Sequence, residues 1–461
     1  MDFHTYRDAL AERIGRLPLP FEDAEYARRR SAVAAAMAAQ GLDGLLVTDA
    51  ADICYLTGYN TFEVSVHTAL FLTGGGGSDG GGGGGGAGAE GSADDARANN
   101  SADKSEGRAI LQVPSIETGP AVTTARVDDV FGYRWEEADG AVGQMQAIIR
   151  DLGLGGSSGP GAAVSGSGAG SSGPGAGGSG PRTGASPRIG TDNWGPALRS
   201  GFRDGLAAAM PGVTLVDASG LVDGVKIVKS EAEIAMLRQS ARITEAGIAA
   251  AEALIAPGVG DQQLAASGSA AMLAAGGEFM SLQPIVTTGW RSSVIHCNHQ
   301  RHEVAKDEPV FLEFGAAYHR YTAPMMRSRI AGQPTDEMRR VAGVIRDIYE
   351  ALIEHMRPGV TMDAAAAAAD QALAPVADRA FFSGVYGYTV GIQFPPSWVE
   401  GSGFIARGVE REFVENMVFH LPLMLRIPGV WGIGMSNTVR VTADGGEAIT
   451  HNDLALTGSG A

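Results

Sequence analysis

Three histidines and a cysteine lie close together in the chain, where their side chains could bind a metal ion or move protons. They are His296, Cys297, His299 and His302. Imidazole and thiol groups in one segment are typical of zinc sites. The pattern of residues 291–309, however, predicts a loop that leads into a strand, and in extended chain residues i and i+3 point to opposite faces. The segment therefore favours one functional histidine among polar neighbours over a zinc cluster.

Two long helices that end in similar ways indicate how the second half of the chain is organised. Ser230 and Glu233 match a capping box, which predicts the start of a long helix that ends at Pro257-Gly258. A second helix over 338–356 ends at Pro358-Gly359, 101 residues further on. Each of the two helices is followed by a short polar segment and then by an alanine-rich helix. This echo is either a coincidence or an αβ unit used twice, and the residues alone leave both open.

The first half of the chain predicts an α/β pattern interrupted by glycine. The predicted helices and strands cover 22–39, 44–48, 69–73, 109–113, 141–152 and 188–191. Residues 74–107 and 153–187 hold 14 glycines each, so 67 − 28 = 39 glycines remain for the other 392 positions. Both tracts fall in connections, the first in place of a hairpin turn. They are typical of linkers rather than of functional sites.

The charge and cysteine content of the chain limit the classes of protein it can belong to. The chain has 35 basic and 52 acidic residues, a net charge of −17, and nucleic-acid and anionic-membrane surfaces need clustered positive charge. Two cysteines cannot form a disulfide framework in 461 residues. No signal-peptide pattern, no apolar run of membrane-spanning length and no nucleotide-binding fingerprint appears. We therefore expect a cytoplasmic protein that needs no cofactor.

Several segments spread over the chain resemble one known family, namely Leu56–Tyr59, Val310–Gly315, Arg320–Arg327, Asn416–His420 and Asn437–Thr442. That family is the pita-bread family, which includes Xaa-Pro peptidases, methionine aminopeptidase, creatinase and ectoine hydrolase. The resemblance implies an α/β (α+β) protein with a creatinase-like N-terminal domain over 1–228 and a pita-bread catalytic domain over 229–461. It also implies that the helix echo is the pseudo-two-fold αβ repeat of the catalytic domain.

The metal-ligand positions are where this sequence departs from the family. Metallopeptidases of the family hold two divalent ions with two Asp, one His and two Glu. A proline offers only a carbonyl, and a single carboxylate cannot hold two hard cations, so the sequence predicts no bound metal. The matching positions carry Glu313, Pro324, Tyr388, Pro422 and either Ser436 or Asn437.

Creatinase shares this loss of ligands and hydrolyses a C–N bond without metal. Its general base is a histidine in the loop before the first strand, and that position is His296 here. Creatine itself does not fit, because Met326 and Pro422 stand where carboxylates bind its guanidinium. The sequence is more similar to ectoine hydrolase, which opens a cyclic amidine by adding water. The runs 62–67 and 283–287 do not follow that enzyme, which leaves the substrate open.

A metal-free reaction of this kind needs a side chain that activates water near neutral pH, and histidine is the natural choice. The resemblance implies His296 as that base, with Glu313 orienting it or binding a cationic substrate nitrogen. Arg327 is the alternative partner of Glu313, because a buried carboxylate without a metal needs a cation. Tyr388 would donate to the developing charge or the leaving nitrogen, and His420 would donate a proton. Tyr388 and His420 are otherwise packed core side chains.

The pocket wall and the second subunit complete the prediction. Phe62, Phe394 and Trp398 are candidates for the wall of a substrate pocket, unless they serve only core packing. In creatinase the N-terminal domain of one subunit completes the site of the other. The resemblance therefore implies that Phe62 to His67 act across a homodimer, with Arg327 also among the substrate-binding residues.

The leading prediction is a metal-independent hydrolase that acts on a C–N bond of a small amide or amidine. Two alternatives stay open. One is a dinuclear Xaa-Pro aminopeptidase or dipeptidase whose ligands lie elsewhere in the sequence, and the other is a binding module that keeps the fold without catalysis. The predicted partners are a small-molecule substrate and a second copy of the chain, with no nucleic acid and no membrane.

Overall fold

The computed structural model describes residues 1–74, 107–156 and 186–458. Most of the two glycine tracts, 75–106 and 157–185, lies outside the described residues. The chain divides into two compact units, Met1–Leu221 and Val222–Ala461, so the division falls seven residues before the predicted 228/229 boundary. No helix within the described ranges combines the length and apolarity that a membrane span requires.

The N-terminal unit is built around one mixed six-stranded sheet. Its strands are β1 (Gly44–Val47), β2 (Ala69–Thr73), β3 (Ala109–Pro114), β4 (Asp129–Tyr133), β5 (Arg188–Thr191) and β6 (Thr214–Asp217). Its helices are α1 (Phe3–Arg13), α2 (Asp23–Ala39), α3 (Ala50–Thr57), α4 (Thr118–Thr124), α5 (Ala138–Asp151) and α6 (Ser200–Ala209). The strand order is β4-β3-β2-β1-β5-β6. The β1–β2 and β2–β3 pairs are antiparallel, and the other pairs are parallel.

The core of this unit lies between the sheet and helices α5 and α6. Ile148 and Ile149 of α5 and Leu206 of α6 are buried in one cluster with the sheet residues Phe71 and Ile189. Burial of large aliphatic and aromatic side chains of this kind is the main favourable term in folding. The α/β pattern predicted for the first half of the chain is therefore present.

The strands on either side of the first glycine tract are antiparallel partners. Thr73 N donates to Arg108 O over 2.9 Å, and Arg108 N donates to Thr73 Oγ1 over 2.7 Å. Gly74 therefore directly follows Thr73, and Gly107 directly precedes Arg108, at a point where the two chain segments are still hydrogen-bonded to each other.

Deleting residues 75–106 is expected to leave the N-terminal unit folded. The deletion joins Gly74 to Gly107 and makes a two-residue Gly-Gly turn, which antiparallel hairpins prefer. Because each doubling of loop length costs about 0.6 kcal/mol in closure entropy, the midpoint of thermal unfolding should stay the same or rise. Differential scanning calorimetry of the full and shortened chains measures this. A fall of about 5 °C or more would show that the segment stabilises the unit.

The C-terminal unit contains two helix pairs and several sheets. The helices are α8 (Glu231–Glu252), α9 (Asp261–Ala274), α10 (Asp336–His355) and α11 (Met362–Leu373), after the short α7 (Leu221–Lys226) at the division. The strands of the first half are β7 (Ile285–Thr288), β8 (Pro309–Phe314), β9 (Ala317–Tyr318), β10 (Tyr321–Thr322) and β11 (Met325–Ile330). Those of the second half are β12 (Val385–Val390), β13 (Val399–Ala406), β14 (Val418–His420), β15 (Leu423–Ile427), β16 (Trp431–Met435), β17 (Thr438–Thr442), β18 (Gly445–Ala448) and β19 (Thr457–Gly458).

The order of these elements repeats. In the first half, α8 and α9 precede β7, β8 and β11, which form one sheet in the order β19-β11-β8-β7. In the second half, α10 and α11 precede the sheet β13-β12-β14-β17-β18. Separate apolar clusters join each helix pair to its own strands. The helix echo in the sequence is thus an αβ unit used twice, as the resemblance implies.

The capping box predicted at the start of α8 is present. The Ser230 side chain accepts from Glu233 N over 3.3 Å, and the Glu233 carboxylate accepts from Ser230 N over 2.9 Å. These bonds satisfy two of the free donors at the helix start and fix where α8 begins.

Candidate active site

Helix α8 holds the strands β8 and β11 that carry the site. Ser240 donates to Ala316 O over 2.6 Å and accepts from Ala323 N over 2.8 Å. Thr244 donates to Ala323 O over 3.1 Å and accepts from Ala316 N over 2.9 Å. All of these bonds are buried, where a satisfied polar network rigidifies its surroundings. The residues just after β8 and just before β11 are therefore fixed to one helix.

One cavity of about 200 Å³ lies within the C-terminal unit. It is lined by residues of β8, β11, β12 and β15 and of the loop that follows β7. Four of its lining side chains are chemically distinctive, namely His296, Glu313, Tyr388 and Arg426. A volume of this size is below that of drug-binding pockets, so the cavity suits a small molecule.

The apolar wall of the cavity is a small cluster of its own. Phe311, Met326 and Met424 are buried together with the partly buried Ile285, and all four line the cavity. Methionine adapts its shape to irregular partners. A ligand here would therefore meet polar groups on some sides and an adaptable apolar surface on another.

His296 lies at the solvent-accessible side of the cavity and has a left-handed backbone. Its φ is 55°, a conformation that few residues other than glycine adopt, and its side chain is exposed. Strained backbone of this kind is concentrated at functional sites. The geometry is compatible with a base that meets both water and substrate.

Glu313 lies on β8 and is 8% exposed. Burial raises the pKa of its carboxyl to about 8, and the positive charge of Arg426 opposes the rise. No hydrogen bond joins Glu313 to His296 among the described residues. The predicted role of Glu313 in orienting His296 is thus not supported by a direct contact.

Tyr388 on β12 is held by two neighbours. Trp398 Nε1 donates to its hydroxyl oxygen over 2.9 Å, and His420 Nδ1 lies 2.8 Å from the same oxygen. His420 Nε2 is in turn 2.6 Å from Ser436 Oγ, which accepts from Met326 N over 2.6 Å. Burial, and then the charge of Glu313, raises the pKa of the Tyr388 hydroxyl well above its ordinary value.

The hydrogen-bond partners of Ser436, His420 and Tyr388 determine where their protons lie. Ser436 Oγ already accepts from a backbone N–H, and its one other partner among the described residues is the imidazole, so its proton goes to His420 Nε2. Nδ1 of His420 then carries the hydrogen and donates to the Tyr388 oxygen. Because that oxygen also accepts from Trp398, the O–H of Tyr388 is left to donate into the cavity that it lines.

His420 does not occupy the position that the sequence prediction gives it. Its side chain is fully buried, it does not line the cavity, and burial lowers the pKa of its imidazole to about 3. A neutral histidine with both ring nitrogens bonded is a positioning group for Tyr388. The prediction that His420 donates a proton directly to substrate is therefore wrong for this geometry.

Arg327 is not the partner of Glu313. Met326 lies opposite Glu313 in the antiparallel ladder of β8 and β11, and successive residues of a strand point to opposite faces. Arg327 accordingly points away from the cavity and pairs with Glu252 at 3.4 Å and Asp453 at 3.3 Å. The prediction that Arg327 binds substrate is contradicted by this orientation.

The predicted aromatic residues have different environments. Trp398 is buried and contacts Tyr388, so it supports the site from behind. Phe394 is buried, and the Arg320 guanidinium lies 4.7 Å from its ring centroid, so it belongs to a structural cluster and not to the cavity lining. His67 is buried in the N-terminal unit with its ring 4.0 Å from that of Phe202, which contradicts a substrate-binding role. Phe62 is 80% exposed.

Arg426 is a site residue that sequence reasoning missed. It lies on β15. Burial lowers the pKa of its guanidinium, and the charge of Glu313 opposes that fall. A signal was present, because Pro422, Met424 and Arg426 are alternate residues and all line the cavity. Once Pro422 is placed at a ligand position, the two-residue period of a strand predicts that Arg426 shares its face.

Two family models match this chain in the places that the fold suggests. Residues 235–443 match the model of metallopeptidase family M24, and residues 29–77 match the creatinase/prolidase N-terminal domain. The chain contains an M24-family domain. It is a hydrolase of C–N bonds.

Relatives of this protein match from about half of its length to almost all of it. The uncharacterized hydrolase/peptidase y4tL of Sinorhizobium fredii is 26% identical over 450 residues, which cover 95% of this chain and 98% of that protein. Ectoine hydrolase of Halomonas elongata is 26% identical over 261 residues, 53% of this chain and 63% of that enzyme. The prolidase structure from Pyrococcus horikoshii OT3 has a TM-score of 0.69 at 17% identity, over 93% of this chain and 100% of that one. The pita-bread fold with a creatinase-like N-terminal domain is thereby confirmed.

Among the side chains that line the cavity, Glu313 carries the one carboxylate. At the positions that the sequence prediction matches to the family's metal ligands, Glu313 is again the one carboxylate, and the amide oxygen of Asn437 already accepts from Thr450 Oγ1 at 3.0 Å and Asn452 N at 2.8 Å. The cationic Arg426 lines the same cavity. Within the described ranges, no three His, Cys, Asp or Glu side chains are grouped to hold a metal ion.

Proposed function

We propose that this M24 hydrolase works without a metal ion and adds water across a C–N bond of a small amide or amidine. The observation that supports the proposal is one small cavity to which His296, Glu313 and Tyr388 each present a different chemical function. His296 offers a base, Glu313 a carboxylate and Tyr388 a hydrogen-bond donor. These are the functions that hydrolysis needs when no Lewis acid polarises the substrate.

The proposed reaction consumes one water molecule and no other reagent. His296 accepts a proton from water while the water oxygen bonds to the amide or amidine carbon. The π electrons move to the substrate oxygen or nitrogen, and the Tyr388 hydroxyl donates a hydrogen bond to that atom. The protonated His296 then gives its proton to the leaving nitrogen, the C–N bond breaks, and a carbonyl product and an amine result.

A cyclic amidine is the first substrate to test. The 26% identity to ectoine hydrolase supports this choice, and a protonated amidine would bind next to the Glu313 carboxylate. The proposal retains a homodimer, in which the exposed Phe62 is the N-terminal residue that reaches the site of the other copy. Its exposed fraction of 80% fits a side chain that contacts a partner.

The test combines metal analysis with a substrate panel. Purified protein is analysed for bound metal and then assayed on cyclic amidines, guanidino acids, N-acyl amino acids and Xaa-Pro dipeptides, each with chelator and with added manganese. We expect substoichiometric metal and turnover of an amide or amidine that neither treatment changes. The similarity to prolidases supports a second candidate, a dinuclear Xaa-Pro dipeptidase. Two metal equivalents together with manganese-stimulated cleavage of Xaa-Pro dipeptides would replace our proposal by that one.

A further inference from the structure

The cavity is lined by a carboxyl group and a guanidinium group that do not pair with each other. Glu313 and Arg426 both line it, yet no ion pair of 4.0 Å or less joins them. Arg426 Nε is buried without a hydrogen-bond partner, and no described residue forms a hydrogen bond with the terminal nitrogens of Arg426 or with the Glu313 carboxyl.

Other buried or partly buried charges in the same unit are paired at short distance. Lys229 Nζ lies 2.6 Å from Glu400 Oε2, and Arg329 Nε lies 2.8 Å from Glu252 Oε1. Arg327 also has a buried Nε without a partner, but its terminal nitrogens are bonded to acidic or amide oxygens. Among these charges, Glu313 and Arg426 are the two that face an open cavity instead of each other.

An uncompensated charge in a buried place is costly unless something pairs with it. A ligand can supply both partners only if it carries an anionic group for Arg426 and a cationic or hydrogen-donating group for Glu313. The wall of Phe311, Met326 and Met424 would contact the carbon atoms between those groups. A guanidinium binds a carboxylate through two parallel hydrogen bonds and so fixes its orientation.

We propose that the cavity selects small zwitterions, with the ligand carboxylate on Arg426 and the cationic nitrogen on Glu313. The inference rests on the proposed function for the identity of this cavity as the active site. It adds the substrate class, an amino-acid-like molecule with a carboxylate, and it assigns Arg426 as the residue that recognises that carboxylate. Amides and amidines without an acidic group would then bind weakly.

The ligand side is tested by equilibrium binding of matched pairs in isothermal titration calorimetry. The pairs are ectoine with 2-methyl-1,4,5,6-tetrahydropyrimidine, guanidinoacetate with methylguanidine, and glycyl-proline with glycyl-prolinamide. At least one zwitterion should bind about 30-fold or more tightly than its partner, as expected for one lost charged contact. The proposal is overturned if no zwitterion binds better than its partner that lacks the carboxylate.

The protein side uses Arg426→Met and Arg426→Gln with Arg327→Met as the matched control. The Arg426 variants should lose the preference for the carboxylate and unfold at the same or a higher temperature, because a charge without a protein partner is removed. Arg327→Met should keep the preference. A lower unfolding temperature of both Arg426 variants with an unchanged preference would show a structural arginine and overturn the assignment.

The outcomes separate this inference from the proposed function, because hydrolysis of the same compounds is measured independently. Zwitterion binding that depends on Arg426 without turnover would leave the inference standing and remove the hydrolytic proposal. Metal-free turnover with equal binding of both members of each pair would leave the hydrolytic proposal standing and overturn the inference about zwitterions.

Discussion

Replacing His296 is expected to lower kcat by about 10²- to 10⁴-fold on any panel compound that the enzyme turns over, the range for loss of a general base. His296→Asn is the sharper variant. Asparagine tolerates the left-handed backbone that His296 adopts at φ 55°, so the fold should keep its unfolding temperature. His296→Ala should show the same loss of kcat with a slightly lower stability.

The control for this prediction is a histidine of the same loop. His302 is exposed and does not line the cavity, so His302→Ala should leave kcat unchanged. Added imidazole should restore part of the activity of His296→Ala, because a free base can enter the space that the side chain vacates. If kcat of His296→Asn equals that of the wild type, another group activates the water.

Much of the fold could be predicted from local patterns. The capping box at Ser230 and the apolar runs at β2, β3 and β8 depend only on neighbouring residues, and they fold as expected. The helix echo needed the resemblance before it could be interpreted, because two Pro-Gly steps by themselves are compatible with chance.

The site was less predictable because it depends on strand pairing. His420 lies opposite Tyr388 in the β12–β14 pair, and it lies opposite Thr438 in the next pair. No sequence spacing reveals that this arrangement turns both ring nitrogens toward protein hydroxyls. The prediction for Arg327 failed for a simpler reason. In the pairing of β8 with β11 it is Met326, and not Arg327, that lies opposite Glu313 and faces the cavity.

Glu313→Gln is expected to change the pH dependence of stability and to lower kcat/KM by about 10²- to 10³-fold, the cost of removing one partner of a charged contact with the substrate. The carboxyl of Glu313 has a pKa of about 8 in the folded chain against an ordinary 4.5. Between these values the folded state binds one proton more than the unfolded state, so this group makes the wild type less stable as the pH rises. Glutamine cannot ionise, and the stability of the variant relative to the wild type should therefore increase from pH 5 to pH 8.5 by a few kcal/mol.

Urea unfolding of both proteins at pH 5, 6.5 and 8.5 measures this difference, and all other titrating groups cancel in it. A difference that stays constant across the range would mean that the carboxyl of Glu313 ionises at an ordinary pKa. Glu400→Gln is the matched contrast. Burial also raises the pKa of Glu400, but its carboxylate lies 2.6 Å from Lys229, so glutamine leaves a buried ammonium without its counter-charge and should destabilise the fold by about 3 to 5 kcal/mol.

The contrast between the two glutamates shows how a functional charge differs from a structural one. Removing Glu400 should cost stability at neutral pH, because the protein supplies its partner. Removing Glu313 should increase stability and lower activity, because the partner is a ligand that the empty protein lacks. Binding of a cationic group beside Glu313 at pH 6.5 should then release a proton, since the carboxyl must ionise to pair with it. Calorimetry in two buffers of different ionisation enthalpy would count that proton, and the count should fall to zero in Glu313→Gln.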